Sequence, residues 1–306
     1  MAINDSTVPQ RGEISQGVFA LILVAPAVIL LAGLIGYPLL QALYLSLTNT
    51  NTISLRGQFV GLVNFELIFA SADFWTSFGN TLVWTISTVI FQIIFGVLFA
   101  VMLNERFAFR SLATGLILFP YVLSTVVVVL VWQWILNDLY GVANWLIVSS
   151  GLSDVPVNWT GTMPNAMITT VMIGTWKSFP FTVIIVLARL QTIAPELYSA
   201  ARLDGASAIG RFFDITLPNL KGVLLLAVLL RSIWDIKEFD LIFILTGGGP
   251  QIGTQTLPLL VYKEAFGMMN LGRAAAVAVV MFGCISLLIL TYVYVSRQGR
   301  QEGAAR

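Results

Sequence analysis

The sequence runs to 306 residues, of which 58% are hydrophobic and only 10% charged, with a mean hydropathy of +0.89. Soluble domains carry roughly 25% charged residues, so this chain lacks the polar surface to coat a water-soluble body of its size. Its net charge of +1 points to neither nucleic acid nor an acidic partner, and the absence of histidine removes the commonest general base, the Ser–His and Cys–His dyads and most transition-metal sites.

A helix that crosses a bilayer needs roughly 20 mostly apolar residues. Six such runs follow one another, at 18–46, 78–103, 112–136, 166–190, 222–245 and 273–296. The expected fold is all-α, a polytopic transmembrane helical bundle of about six spans filling residues 18–296, between tails at 1–17 and 297–306. The first run exceeds the length of one span, so tilt or a kink is expected near Pro26 or Pro38. It is also too long for a cleaved signal peptide, and no small-residue cleavage site follows a short apolar core. The sixth run holds the lone cysteine, Cys284, so no internal disulfide can form.

Between the runs the character changes. Residues 47–77 are rich in Asn, Thr and Ser, and 137–165 contain no Lys or Arg. Residues 191–221 are the most charged stretch, and 246–272 open with Thr246-Gly247-Gly248-Gly249-Pro250, a signal that ends a helix. Basic residues divide unequally between the two sides. Arg11, Arg106, Arg110, Arg189, Arg202, Arg211, Lys221, Arg297, Arg300 and Arg306 fall on one side, against Arg56, Lys263 and Arg273 on the other. The excess marks the cytoplasmic side, which places both termini and 191–221 inside the cell. Trp75, Trp84, Trp132, Trp134, Trp145, Trp159 and Tyr140 gather toward the outer interface, where amphipathic rings anchor; packing is the alternative for any one of them.

Two runs carry charge, which is expensive in a bilayer and faces a cavity or another charge. The fourth has Lys177 beside Ser178, and the fifth has Arg231, Asp235, Lys237, Glu238 and Asp240. Arg231, Trp234, Asp235 and Glu238 recur at i, i+3, i+4 and i+7, one face of a continuous helix. Charged groups around an aromatic suit a polyhydroxylated ligand. Pairing of Lys177 or Arg231 with Asp235, locking helices together, fits the same pattern.

The loop from Pro195 to Pro218 reads as a helix opened by Pro195 and broken at Gly205, then a second short helix over about 207–213 before Pro218 starts the next span. Asp204 is placed to accept backbone N–H bonds at the start of that second helix. An amphipathic loop lying on headgroups and a docking surface for another protein are both consistent with it.

The segment Glu196-Leu197-Tyr198-Ser199-Ala200-Ala201-Arg202-Leu203-Asp204-Gly205, followed by Ile215-x-Leu217-Pro218, resembles the EAA loop of permease subunits in ABC importers. The resemblance extends over nearly the whole chain. Trp132-x-Trp134 with Tyr140-Gly141-x-x-Asn144, Trp176-Lys177-x-x-Pro180-Phe181, and Phe239-Asp240-x-Ile242 through Gly248-Gly249-Pro250 are similar to the sugar-importer branch that includes the maltose permease. Ser199 stands where the motif has its Glu, and Glu196 lies one helical turn earlier.

The resemblance implies the type I ABC importer permease fold and a multi-pass protein of the bacterial or archaeal inner membrane. It implies import of a sugar, sugar alcohol or related polar solute by alternating access, with a glycerol-phosphate or other anionic solute as the alternative. An ion-coupled secondary transporter is the rival from another class, but the internal repeats such transporters show are not evident. Implied partners are a second homologous permease subunit, two ATPase subunits, a periplasmic or lipid-anchored solute-binding protein and membrane lipid. ATP and Mg would belong to the ATPases, since this chain has no phosphate-cradling Gly-x-x-x-x-Gly-Lys loop; no cofactor, metal ligand or catalytic residue is expected in it.

Residue by residue, the resemblance places the solute path at Gly174, Lys177, Ser178 and Phe181 in the fourth run and at Trp234, Asp235 and Glu238 in the fifth, with Arg231 one turn away. It places ATPase coupling at Glu196, Ser199, Ala200, Ala201, Asp204 and Gly205, and the binding-protein contact at Thr246, Gly248, Gly249 and Pro250.

Overall fold

A computed structural model describes residues 16–105 and 107–304; Arg11, Arg106 and Arg306, part of the charge-bias argument, lie outside the described residues. Among those described, every named element is helical, with two isolated bridges, Thr48–Phe59 and Asn51–Asn270. Five helices are long and apolar enough to cross a membrane, and a bent pair brings the number to six.

Helix α1, Gln16–Leu31, runs through a π turn, Ala32–Gly36, into α2, Tyr37–Ser46. Pro38 sits just beyond that turn, and Pro26 lies within α1. The π turn falls where Pro38 has no N–H to give to the preceding turn. No part of the apolar stretch of this span is fully buried: α1 is almost wholly exposed, whereas α2 packs against the last helix, Leu271–Ala304, and leads to the buried Ser46 and Thr48. There Asn64, from α3 (Val63–Phe69), donates to the carbonyls of Ser46 and Thr48 at 2.8 and 2.7 Å.

Helix α4, Ala72–Asn104, is the central post. Its buried face reads Ser77, Thr81, Thr85, Thr88 and Gln92, spaced four, four, three and four. Thr81 and Thr88 return their hydroxyls to carbonyls one turn back, at 2.7 and 2.6 Å, which leaves a small polar face for neighbours to approach.

The third apolar run is not one straight span. Helices α5, Arg110–Val122, and α6, Thr125–Ile135, are bent by 101° at the break. Leu123 and Ser124 are extended there, and the β-branched run after Thr125 restarts a helix in a new direction. Helix α7, Val142–Ser149, follows in the 137–165 loop, and α8, Asn165–Leu190, is the fourth span.

The loop 191–221 contains α9, Pro195–Leu203, and then α10, Ala208–Arg211, which is not an isolated second helix. It continues through a π turn, Phe212–Thr216, into α11, Leu217–Ile236, so the apolar helix spans Ala208–Ile236 with Pro218 in its interior. The fifth span also ends sooner than hydropathy suggests: α12, Asp240–Thr246, is a separate helix. Helix α13, Leu257–Tyr262, and a π turn, Lys263–Gly267, precede α14, Leu271–Ala304, the sixth span.

Three apolar clusters join these helices. Trp84, Val129, Ile173 and Ile242 bind α4, α6, α8 and α12. Leu103, Val183, Val186 and Leu220 bind the α9-proximal ends of α4, α8 and α11. Ile68, Phe74, Leu257 and Val277 tie α3, α4, α13 and α14 together at the other end.

Candidate functional site

Helices α4, α8 and α11 meet at Trp84, which is buried rather than at an interface as its sequence position suggested. Its indole lies against Gly174, where any side chain would collide with the ring. Its Nε1 donates to the backbone carbonyl of Asp235 at 2.9 Å. Two turns along α4, Gln92 Oε1 accepts from Arg231 Nε at 2.5 Å, and Arg231 Nη2 pairs with Asp235 at 2.6 Å. Both charged side chains are buried, at 6% and 4% exposure. Asp235 therefore pairs with Arg231 along one helix, not with Lys177 across two; the lock between helices is made by Gln92.

Gln92 was not singled out from the sequence. The four-four-three-four polar spacing leading to it on α4 was the available signal. Its Nε2 and the Asp235 Oδ2 are both buried without a partner among the described residues.

Trp234 extends from beside Arg231 toward α8. Its ring meets Phe181 edge-on at 4.9 Å between centroids, and Phe181 lies 6.2 Å from Tyr121 of α5. The Arg231 guanidinium carbon stands 5.4 Å from the Trp234 centroid, within cation–π range. Tyr121 and Trp234 are 38% and 39% exposed, so this aromatic face is partly open. Lys177 and Ser178 are half-buried one turn before Phe181 on α8, and Lys177 forms no ion pair among the described residues.

Glu238 leaves the face on which a continuous helix would place it. Helix α11 ends at Ile236, and Glu238 Oε1 accepts the Leu241 N–H at 3.0 Å, capping the start of α12. The eight nominated path residues thus fall into two sets. Lys177, Ser178, Phe181 and Trp234 lie on or beside the open aromatic face. Gly174, Arg231, Asp235 and Glu238 are spent on packing, a buried ion pair and a helix cap. An open aromatic face next to a cation and a hydroxyl can stack on a sugar ring and hydrogen-bond its hydroxyl groups.

Helix α9 has no buried residue. Glu196, Ser199, Ala200 and Asp204 are exposed, whereas Ala201 is partly shielded. Gly205 has φ +79°, and its N–H reaches Arg202 O at 3.1 Å while Ala206 N–H reaches Ala201 O at 2.9 Å, the Schellman pattern. The N-cap of α10 is Ser207, which accepts from Gly210 N at 3.1 Å; Asp204 instead ends α9.

At the opposite end, the Thr246–Pro250 turn is folded on itself. Thr246 and Thr254 hydroxyls meet at 2.7 Å, Thr254 donates to Gly249 O at 2.7 Å, and Gly248, at φ +90°, is buried beside Gln255 and Leu259. Thr246, Gly249 and Pro250 are half-buried, and Gly247 and Gln251 are the exposed members. The nearby Gly141–Asn144 signature is also structural: Asn144 Nδ2 donates to Val157 O at 3.0 Å, while its Oδ1 accepts from Val157 N and Trp159 Nε1 at 3.0 and 3.1 Å. Among the described residues no group of three His, Cys, Asp or Glu side chains is arranged to hold a metal ion.

Comparison with known proteins places this geometry among transport components. The sequence profile of the family described as "Binding-protein-dependent transport system inner membrane component" matches residues 92–300. The chain is 32% identical to the trehalose/maltose transport system permease protein MalF of Thermococcus litoralis, covering 96% of this chain and 98% of that one. It is 32% identical to the sulfoquinovosyl glycerol transport system permease protein SmoG of Agrobacterium fabrum, covering 93% and 92%. Its fold superposes on a chain of a bacterial ABC transporter involved in the import of the acidic polysaccharide alginate, with a TM-score of 0.79 at 20% identity, covering 92% and 95%. A second alginate importer structure, in complex with a pentasaccharide-bound periplasmic protein, gives a TM-score of 0.82 at 21% identity, covering 93% and 96%.

Proposed function

This chain belongs to the family of binding-protein-dependent transport system inner membrane components, and we propose that it is one of two permease subunits of an ATP-driven importer for a sugar or related polar solute. The observation that carries the proposal is the exposed outer side of the Schellman-capped helix α9, which rests on the bundle only through its other side at the base of span five. Its outward residues, Glu196, Ser199, Ala200, Asp204 and the Gly205 turn, dock against an ATPase that supplies ATP and Mg. The exposed apolar α1 half of the first span supports a second permease subunit beside this one. Nucleotide-driven closure would then move the spans between inward- and outward-open states. Purifying the tagged chain from its native inner membrane should bring down an ATPase chain and a second permease. Recovery of the chain alone, fully folded, would refute the proposal.

In this reading 191–221 is cytoplasmic, while 137–165 and 246–272 face outward, where Gly247, Gln251 and the half-buried Thr246, Gly249 and Pro250 meet a solute-binding protein. Asp154 and Ile209 are both exposed. A cysteine at 154 should react with an impermeant thiol reagent on intact cells, and one at 209 only after permeabilisation. The reverse pattern would invert the topology.

The solute contacts assigned here are Lys177, Ser178, Phe181 and Trp234, framed by Gly174, Arg231, Asp235 and Glu238. Trp234→Ala removes a stacking surface worth about 0.5–1.5 kcal/mol, so uptake should fall roughly twofold to tenfold with unfolding temperature nearly unchanged. The uptake assay uses the solute identified by a thermal-shift screen of the cognate binding protein against sugars and polyols. Unchanged uptake would remove Trp234 from the path.

A further inference from the structure

We propose that the hydrogen bond between Tyr198 and Thr216 is a mechanical joint that makes α9 and the base of span five one lever, so that a push on α9 arrives at the far end of α11. The inference rests on the permease reading above and adds to it the residues through which force passes.

Helix α9 touches the bundle along one side. Tyr198 packs its ring into the cluster of Leu190, Ile193 and Leu220, and its hydroxyl lies 3.0 Å from the Thr216 hydroxyl. Among the described residues this is the only side-chain hydrogen bond from α9 to a spanning helix. Thr216 is 6% exposed, so water competes little for the contact.

The location matters as much as the bond. Thr216 closes the π turn Phe212–Thr216, where the regular i→i−4 ladder is interrupted and a helix is free to flex. Here the turn is braced from three sides. Tyr198 holds Thr216, Arg189 at the end of α8 donates to Asn219 O at 3.0 Å, and Arg211 donates to Ala206 O at 2.6 Å. Beyond the brace α11 is an uninterrupted helix of 20 residues, about 30 Å long. It delivers motion to Trp234 and to Asp235, whose carbonyl Trp84 holds. Without the joint, displacement of α9 would be absorbed by bending at the π turn.

The test uses the purified importer with its ATPases, in which Cys284→Ala removes the lone cysteine and Lys237→Cys carries an environment-sensitive fluorophore. Lys237 is exposed at the end of α11. Trapping with ATP and vanadate should shift the emission of the parent. Tyr198→Phe and Thr216→Val should each lower the ratio of shifted to unshifted emission about fivefold, the change in equilibrium ratio produced by losing one hydrogen bond of about 1 kcal/mol. ATPase retention and hydrolysis should be unchanged, and Thr216→Ser, which keeps the hydroxyl, should restore the shift. A full shift in both hydroxyl-deleted variants, or none in a parent that retains its ATPase, would overturn the joint and leave the permease reading standing. A parent that binds no ATPase would overturn both.

Discussion

Asp235→Leu is expected to destabilise the bundle by about 3–5 kcal/mol, because it leaves the Arg231 guanidinium buried without its carboxylate. Arg231 is 5% exposed and, among the described residues, its charged end bonds to Gln92 and Asp235 and lies over the Trp234 ring. Gln92 is a neutral acceptor and cannot balance the charge, and desolvation is no cheaper in a lipid-surrounded bundle than in a soluble core. The double variant Arg231→Met with Asp235→Leu should recover stability, since two apolar side chains of similar volume replace the pair without leaving a lone charge. Thermal unfolding in a lipid nanodisc, followed by tryptophan fluorescence, measures both effects. Uptake separates the two roles. A frame for the solute site predicts that the double variant transports, whereas a pair that contacts solute predicts a stable protein that does not. An Asp235→Leu protein as stable as its parent would show that the pair is not closed in the membrane.

The reading of span five shows what a sequence conveys and what it withholds. Residues 231, 234, 235 and 238 do recur at helical spacing, and the structure confirms that 231 to 235 are helical. Trp234 and Asp235 nevertheless lie about 100° apart around that helix, so one faces Phe181 and the other Gln92. Periodicity cannot say which neighbour occupies each side. The helix then stops at Ile236, and Glu238 turns to cap α12. The cluster Asp235-Ile236-Lys237-Glu238-Phe239-Asp240 signalled that stop, but a hydropathy window averaged across it.

The bend in the third apolar run was hidden for a related reason. Apolarity reports how much chain prefers lipid, not its direction, and the 101° bend between α5 and α6 leaves mean hydropathy untouched. Positions that depend on backbone geometry were more legible. Gly205 was expected to break the helix, and it does so at φ +79°. The cap of the next helix was assigned to Asp204, yet Ser207 is adjacent to that helix and has the hydroxyl in reach of Gly210 N–H. Gln92, three spans before Arg231 in the sequence, became visible only when the helices were packed.

Ala200→Trp asks whether α9 docks an ATPase. Ala200 is exposed on α9, whereas Ala201 is partly shielded by the chain itself and would confuse a docking defect with a local folding one. An indole at 200 is far too large for a groove shaped around a methyl group, and it touches no spanning helix. The tagged Ala200→Trp protein should therefore insert and unfold at the parent's temperature, yet purify with little or no ATPase chain and negligible ATP hydrolysis. The ratio of ATPase to permease in the two purifications is the direct measure. A ratio near zero for Ala200→Trp against a stoichiometric parent is the predicted result, and equal ratios with equal hydrolysis would contradict the account.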